Sequence, residues 1–560
     1  MVVLALLPYV VFQRCVSIFL ISLAVLYGLL TLIKRSRLKK IDVNGQGVLV
    51  TGCDTGFGHH LARRLDGSGF TVYAGCLYEH GDGADTLRTS DTGRMHVLPL
   101  DVTSDTSVNS CLDYVTKSCG DEGIWAIVNN AGVDLNGHVE FITMEMYKRI
   151  AEVNQFVVVR VTKAFLPLVR KQKGRVLNVT SVSGRQNSQL YSAYSMTKFA
   201  AESFSDVLRL EMRNFGVKVA VIEPGQYGGV TGILKEAAQK QTEKNIETMI
   251  AEASQDVKDS YGTQCLHQMF QNLKGATNTS STTVALVIDA MEDAIVNVNP
   301  QCRYLFFEGS FMVVLGLLPY IVFQRCVAMF LVALVVLYVL LRVIRRSNVE
   351  RIAVHGQGVV ITGCDTGFGH HLARRLDGSG FTVYAGCLDE HGDGADTLRT
   401  SDTGRMHVLP LDVTSDTSVN SCLEYVTKSC GDEGRVLNVT SVNGRLSNSL
   451  RSAYSMTKFA VESFSDVLRL EMRNFGVKVA VIEPGNYGGV TGLFNEAFQK
   501  QTEKNIETMI AEASQDVKDS YGTQCLHQMF QNLKGATNTS STTVGPVIEA
   551  MENAIVNVNP

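Results

Sequence analysis

The chain carries one sequence twice. MVVLALLPYVVFQRC from Met1 returns as MVVLGLLPYIVFQRC from Met312, an offset of 311. VLVTGCDTGFGHHLARRLDGSGFTVYAGCL from Val48 returns with two changes from Val359, and Gln239–Val284 is identical to Gln499–Val544. Self-similarity on this scale is a tandem duplication of a whole protein; solenoid repeats are far shorter, about 20–45 residues. The duplication is uneven. After Gly434 the offset falls from 311 to 260, so the second copy lacks a 51-residue counterpart of Ile124–Gly174. A fusion of two neighbouring genes with lost segments produces this pattern, and so does a fused gene model. Two α/β domains are expected, the second missing an internal piece.

Each copy opens on an apolar run. Cys15–Ile33 is uncharged over 19 residues, about 28 Å as a helix, against a hydrocarbon core of roughly 30 Å. Lys34, Arg35, Arg37, Lys39 and Lys40 follow and outweigh Arg14, so the domain behind this anchor is expected on the cytosolic side. No small-residue cleavage site is evident, which favours a retained anchor over a removed signal peptide. The second run, Cys326–Leu341, is shorter and precedes Arg342, Arg345 and Arg346. If both segments span, one basic cluster faces the wrong way.

Between the anchors, GVLVTGCDTGFGHHLARRLDGSGFTVYAGC reads strand, glycine turn, helix, strand. Val48, Leu49 and Val50 form an apolar run of the buried parallel type. Gly52, Gly56 and Gly58 follow it at a spacing that lets backbone approach a pyrophosphate while a helix N-terminus supplies donors. MHVLPLDVT predicts a third strand ending near Asp101. IWAIVNNAG predicts a fourth, running into Asn130, Ala131 and Gly132. EMYKRIAEVNQFVVVRVTKAFLPLVRK predicts one long helix carrying Asn154, and GRVLNVTS and VKVAVIEPG predict strands five and six. Strands alternating with helices imply a parallel sheet covered on both faces.

NVTSVSGRQNSQLYSAYSMTK carries the candidate chemistry. A strand delivers Ser181; Tyr194 comes 13 positions later and Lys198 four after that, one helical turn apart on one face. A free tyrosine has a pKa of about 10 and is a poor base at neutral pH. A neighbouring ammonium favours the phenolate, which can take a hydroxyl proton, while Ser181 hydrogen-bonds the same oxygen. Tyrosine and lysine at this spacing are common on helices and alone mean little. Here the set occurs again as Ser441, Tyr454 and Lys458.

TGCDTGFG, NNAG, Asn154, Ser181, Tyr194-x-x-x-Lys198 and Pro224-Gly225, in this order from Gly47 to about Val298, resemble the short-chain dehydrogenase/reductase family. GCDTGFG, YAGCL, HVEF, AEVN, FLPLVRK, KGRV and IEPG bring it nearest to the membrane-bound branch of D-β-hydroxybutyrate, retinol and 17β-hydroxysteroid dehydrogenases. The resemblance implies a Rossmann-type doubly wound parallel sheet of order 3-2-1-4-5-6-7, which the repeat makes duplicated and the apolar runs precede, in each copy, with a membrane helix. The expected organisation is a membrane anchor over 1–40, a complete domain over 41–311, a second anchor over 312–346 and a truncated domain over 347–560. It also implies Tyr194 as acid/base, Lys198 as ribose ligand and modulator, Ser181 as substrate-oxygen ligand and Asn154 as holder of a relay water. The same set in the second copy is expected to be inactive. Thr51, Gly52, Thr55, Gly56, Phe57, Gly58, Asp101, Asn130, Ala131, Gly132, Tyr194, Lys198, Pro224, Gly225 and Thr231 would surround the cofactor.

A cation for a 2′-phosphate would stand at Thr55 or at Cys76-Leu77; neither place holds one, so NAD is expected. The implied reaction interconverts an alcohol and a carbonyl, as in D-β-hydroxybutyrate dehydrogenase, with a retinoid or steroid alcohol as the alternative. Three residues before the catalytic tyrosine the first copy has Tyr191 and the second Arg451, and Arg185 is a further candidate for holding a carboxylate. A non-catalytic membrane protein is the competing reading. Net charge is −4 with no basic cluster outside the anchor flanks, so nucleic acid is not a partner. The 13 cysteines lack CxxC or His/Cys metal spacing and read as buried free thiols in a reducing compartment. No metal is expected. Membrane lipid and further copies of the chain are expected partners, in the endoplasmic reticulum or, as the alternative, the mitochondrial inner membrane.

Overall fold

The computed structural model describes residues 40–90, 92–225, 227, 236–262, 284–306, 352–354, 356–401, 403–427, 434–449, 451–488, 490–491, 496–522, 541 and 543–557. Both expected anchors, apart from Lys40, and Thr231 lie outside the described residues. Among the described residues no helix is long and apolar enough to cross a membrane.

The first copy runs Gly47–Thr51 (β1), Gly56–Gly67 (α1), Thr71–Cys76 (β2), Asp82–Arg88 (α2), Met95–Pro99 (β3), Asp105–Cys119 (α3), Ala126–Asn129 (β4), Met144–Ala151 (α4), Val157–Lys171 (α5), Arg175–Val179 (β5), Ser192–Met212 (α6), Lys218–Glu223 (β6), Glu236–Glu252 (α7), Ala285–Val296 (α8) and Arg303–Leu305 (β7). Its strands form one parallel Rossmann-like sheet of order β3-β2-β1-β4-β5-β6-β7. β1, β4 and β5 are buried along their whole lengths; β1 and β4 carry unbroken apolar runs, Val48–Val50 and Ala126–Val128, as strands covered on both faces do, whereas Arg175 and Asn178 interrupt β5. Helices α1 and α8 lie together against the sheet, where Leu61, Leu65, Val287, Met291 and Ile295 pack with Val48, Val50 and Val128. Helices α3 and α5 pack on one another, and α5 packs on β4 and β5.

The long helix expected around Asn154 is interrupted. Glu152–Phe156 forms a π turn between α4 and α5. Such a turn bonds i to i+5 and widens the helix locally. Here it coincides with the buried Asn154, whose amide turns away from the helix to the main chain of Val133. The short strand β7, in the stretch Arg303–Leu305, completes the seven-stranded order; its three residues carry no periodicity that a sequence pattern could register.

The second copy runs Gly358–Thr362 (β8), Gly367–Gly378 (α9), Thr382–Cys387 (β9), Asp393–Arg399 (α10), Met406–Pro410 (β10), Asp416–Thr427 (α11), Arg435–Val439 (β11), Ser452–Met472 (α12), Lys478–Ile482 (β12), Glu496–Glu512 (α13), Gln515–Tyr521 (α14) and Gly545–Val556 (α15). With the counterpart of β4 deleted, the sheet is in two pieces, β10-β9-β8 and β11-β12. Among the described residues β8 pairs only with β9 and β11 only with β12. Leu49 in β1 is 0% exposed, whereas its counterpart Val360 in β8 is 47% exposed.

The molecule divides into two compact units that do not follow the copies. The first is drawn from Met1–Asp134, Lys148–Arg185 and Glu211–Ser347, the second from Leu135–Tyr147, Gln186–Leu210 and Asn348–Pro560. Two segments of the first copy therefore belong with the second copy.

Candidate functional site

In the first unit, β1 ends at Thr51 and the chain turns through Gly52 and Gly56, both in the left-handed region at φ +69° and +64°. Helix α1 starts behind Thr55, whose extended backbone forms the cap, and its first turn carries no acidic residue. The turn is closed from β4. Asn130 Nδ2 donates to Thr51 O at 2.9 Å and to Gly52 O at 3.1 Å. The Asn130 and Ala131 amides both donate to Thr51 Oγ1 at 3.0 Å. A Cβ on Gly58 would lie 2.4 Å from Gly52 O, and one on Gly52 would lie 2.9 Å from Ala131 Cα. Glycine is demanded here by backbone meeting backbone, and the result is a tight turn at the N-terminus of a helix whose first turn carries no acidic residue, the combination that suits a pyrophosphate. Gly58→Ala is expected to weaken NADH binding by roughly 10–100-fold and to destabilise the domain by about 1–3 kcal/mol, readable by fluorescence titration and urea unfolding. Unchanged binding would mean that the turn has no part in cofactor recognition.

The other expected residues of this unit fall around the C-terminal ends of the strands. Phe57 packs edge-on against Tyr227 at 5.5 Å. Asp101 Oδ1 accepts from Thr103 N and Oγ1 at 2.9 and 2.7 Å, an Asx turn that leads into α3. Gly132 is exposed. Asn154 Oδ1 accepts from Val133 N at 2.8 Å and its Nδ2 donates to Val133 O at 2.9 Å, so its side chain clamps the loop after β4. Ser181 caps a 3-10 turn, its Oγ accepting from Ser183 N at 3.1 Å. It also donates to Pro224 O at 3.4 Å, well beyond the 2.5–3.0 Å usual for such bonds. A substrate oxygen at normal distance would take that proton from Pro224. Gly225 follows at the end of β6, half-buried.

Asp54 was not singled out by the sequence pattern. Its carboxylate accepts from the Leu77 and Tyr78 amides at 2.9 and 2.8 Å, fixing the end of β2 to the glycine turn. A Cβ on Gly83 would lie 1.9 Å from Asp54 O, so α2 is docked on the same residue. The only signal in the sequence is an aspartate inside TGCDTGFG, with nothing to mark its partners 23 and 24 residues away. Burial, with Asp54 adding to it, pushes the Cys76 thiol up to about 12, while Arg88 opposes the shift. Burial likewise raises Cys111 to about 12. These thiols are free and unreactive at neutral pH.

Arg185 is committed elsewhere than to a substrate. Its Nε donates to Glu223 Oε1 at 3.0 Å, and Arg303 donates to the same oxygen at 2.8 Å. Glu223 is buried, so the two guanidiniums neutralise a carboxylate cut off from water.

Tyr194 and Lys198 belong to the second unit. They lie one turn apart on α6, with Lys198 Nζ 5.5 Å from the centre of the Tyr194 ring. Lys198 is buried. Tyr191 meets Tyr194 edge-on at 6.5 Å. The helix starts at Ser192, whose Oγ is 2.7 Å from Tyr147 OH. Just before it, Leu190 is a non-glycine residue at φ +71°. In the same unit Ser441 repeats the geometry of Ser181, accepting from Asn443 N and donating to Pro484 O. Lys458 Nζ lies 5.7 Å from the Tyr454 ring and donates to Val439 O, and burial lowers its pKa although Glu462 opposes the shift. The second glycine turn is open: Gly363 keeps φ +68°, but a Cβ on it would meet nothing, because the counterpart of Ala131 is deleted.

The profile of the family described as short chain dehydrogenase matches residues 46–242, 357–432 and 429–502. The chain is 39% identical over 276 residues to D-beta-hydroxybutyrate dehydrogenase, mitochondrial, of Bos taurus, a match covering 48% of this chain and 80% of that protein. It is 38% identical to 17-beta-hydroxysteroid dehydrogenase type 6 of Bos taurus, covering 50% and 87% of the two chains. To retinol dehydrogenase 7 of Rattus norvegicus it is 36% identical, covering 51% and 88%.

Proposed function

The chain belongs to the short-chain dehydrogenase family, and on that premise we propose that its first copy is an NAD-dependent oxidoreductase that interconverts an alcohol and a carbonyl. The observation that carries this reading is the turn at Gly52–Gly58, closed by Asn130 so tightly that no side chain fits between its strands of backbone. Thr51, Gly52, Thr55, Gly56, Phe57, Gly58, Asp101, Asn130, Ala131, Gly132, Pro224, Gly225 and Thr231 are its proposed cofactor shell, joined by Tyr194 and Lys198. NAD, when bound, supplies the nicotinamide that accepts or returns a hydride. Ser181 fixes the substrate oxygen through its weakly committed hydroxyl. Tyr194 takes or returns the hydroxyl proton, with the charge of Lys198 beside it favouring the phenolate. Asn154 holds the loop after β4 and, in this reading, the water that passes the proton on.

Two features support NAD over NADP. No cation stands at Thr55 or Leu77. The Asp54 carboxylate occupies the amides of Leu77 and Tyr78, which leaves negative charge where a 2′-phosphate would need donors. The nearby Arg88 is bound to Glu79 O and to Asp85. The purified full chain should oxidise alcohols with a kcat/KM for NAD at least about 100-fold above that for NADP, and Leu77→Arg, at an exposed position, should narrow the gap by about tenfold. Comparable values in the unaltered chain would refute the cofactor assignment; no turnover of any alcohol with either cofactor would refute the enzyme.

For the substrate, the pairing of Arg185 with Glu223 and the ring of Tyr191 beside Tyr194 favour an uncharged lipid alcohol, such as a retinoid or steroid, over D-3-hydroxybutyrate. The two apolar runs in the sequence favour a membrane location, that of the endoplasmic reticulum or, as the alternative, the mitochondrial inner membrane. The second copy is proposed to be inactive despite Ser441, Tyr454 and Lys458.

A further inference from the structure

We propose that Glu471, on helix α12 of the second copy, is a positioning residue for the first copy's catalytic segment. This rests on the reading of Tyr194 given above. Every residue used here lies in the second unit.

Glu471 is buried with its side chain wholly out of water. Such a carboxylate is tolerated where donors replace its hydration. Both its oxygens are met from the first copy. Oε1 accepts from Leu190 N at 3.0 Å and Oε2 accepts from Val139 N at 2.8 Å. His138 Nδ1 stands 3.4 Å from Oε2. The carboxylate thus ties together two stretches of chain that also meet each other: Gly137 N donates to Leu190 O at 2.8 Å, and Gly137 bridges Tyr191. Flanking contacts come from the same helix. Asn187 Nδ2 donates to Asp466 Oδ2 and Ser463 Oγ donates to Asn187 Oδ1, while Gln189 Nε2 donates to Leu470 O.

What is held is a strained residue. Leu190 sits in the left-handed region, disfavoured for a side chain that carries a Cβ and kept only where neighbours over-determine it. Its N–H is taken by Glu471 and its C=O by Gly137. The next residue is Tyr191, whose ring meets that of Tyr194, and Tyr191 O accepts from Ser195 N as α6 begins. Glu471 also bears on Tyr147, whose hydroxyl meets Ser192: burial raises the Tyr147 pKa to about 12, with the Ser192 bond opposing and the charge of Glu471 adding to the rise. Helix α12 of the second copy thus supplies in cis the surface that sets where α6 begins, and with it the position of Tyr194 on that helix.

The test uses the full chain with Glu471→Gln, which keeps the volume but presents an NH2 to one of the two amides, alone and with Leu190→Gly, which removes the penalty of the left-handed backbone. Amide exchange is read over residues 137–139 and 186–191, NADH binding by fluorescence, and kcat and KM with retinol, estradiol and D-3-hydroxybutyrate. Glu471→Gln should speed exchange in both segments by about tenfold and lower kcat by roughly 10–100-fold, with a smaller loss of NADH binding through Lys198 on the same helix. Leu190→Gly should restore most of the lost kcat. Unaltered exchange in Glu471→Gln, or a lost kcat that Leu190→Gly does not recover, would overturn the proposal. If the parent chain turns over none of the three alcohols, the enzymatic reading fails while the exchange measurement still decides whether Glu471 positions the segment.

Discussion

Tyr194→Phe is expected to lower turnover by roughly 10²–10⁴-fold while leaving NADH binding intact. The substitution removes one oxygen and keeps the ring, so the edge contact with Tyr191 and the position beneath Lys198 survive. Loss of rate with unchanged affinity then reports the proton alone. Lys198→Ala should weaken both rate and binding, because in the proposed site the ammonium would serve the tyrosine and the cofactor ribose together. In the same chain Tyr454→Phe should change nothing: the second copy lacks the counterparts of Asn130 and Asn154, and Tyr454 is substantially exposed. A Tyr194→Phe chain with ordinary turnover would sink the assignment. An effect of Tyr454→Phe equal to that of Tyr194→Phe would show that both copies work.

Residues 347–560 expressed alone should neither melt cooperatively nor bind NAD. The deletion takes out the strand that in the first copy lies between β1 and β5, where Ala126, Ile127 and Val128 are all fully buried. Each buried Val or Ile contributes roughly 1.5–3 kcal/mol, against a total stability of about 5–15 kcal/mol for a domain. The structure shows the outcome in two unconnected sheets and in the exposure of Val360 and Val439. Isolation removes more still, since the compact unit of the second copy includes Leu135–Tyr147 and Gln186–Leu210 of the first. The cofactor turn is also lost as a cradle: nothing faces Gly363, and the backbone of Thr491 lies 2.7 Å from where a Cβ on Gly367 would be. A sharp calorimetric transition together with saturable NADH binding by this fragment would contradict the argument.

The parts of the first copy readable from sequence are those where a local pattern carries the physics. Apolar runs marked β1, β4 and β6, at Val48–Val50, Ala126–Val128 and Val219–Ile222, because a strand buried on both faces leaves no polar alternation. The glycines of the turn announce a backbone contact that no other residue permits. Where partners are distant the pattern is silent. The π turn at Asn154 coincides with bonds to a loop 21 residues earlier in the chain. Asp54 acts on amides 23 and 24 residues on, and Glu471 on amides 281 and 332 residues away. No local window contains both ends of such bonds. The candidate tyrosine and lysine were singled out by their spacing together with its repetition, but that their segment is grouped with the second copy depends on which helix packs against it, a tertiary fact.

The division of the second sheet also governs how the chain ages. β8 and β11 each present a row of backbone donors and acceptors with no partner strand among the described residues. Rows of this kind are templates for strand addition, and folds normally blunt them with charge, proline or a covering element. Val360 and Val439 instead leave apolar side chains open beside those rows. Heating therefore drives molecules to pair through these edges before the intact seven-stranded sheet opens. Loss of activity should then be a second-order, concentration-dependent process, faster in concentrated than in dilute preparations, and its half-life should report encounters between second copies rather than the strength of the first copy's fold.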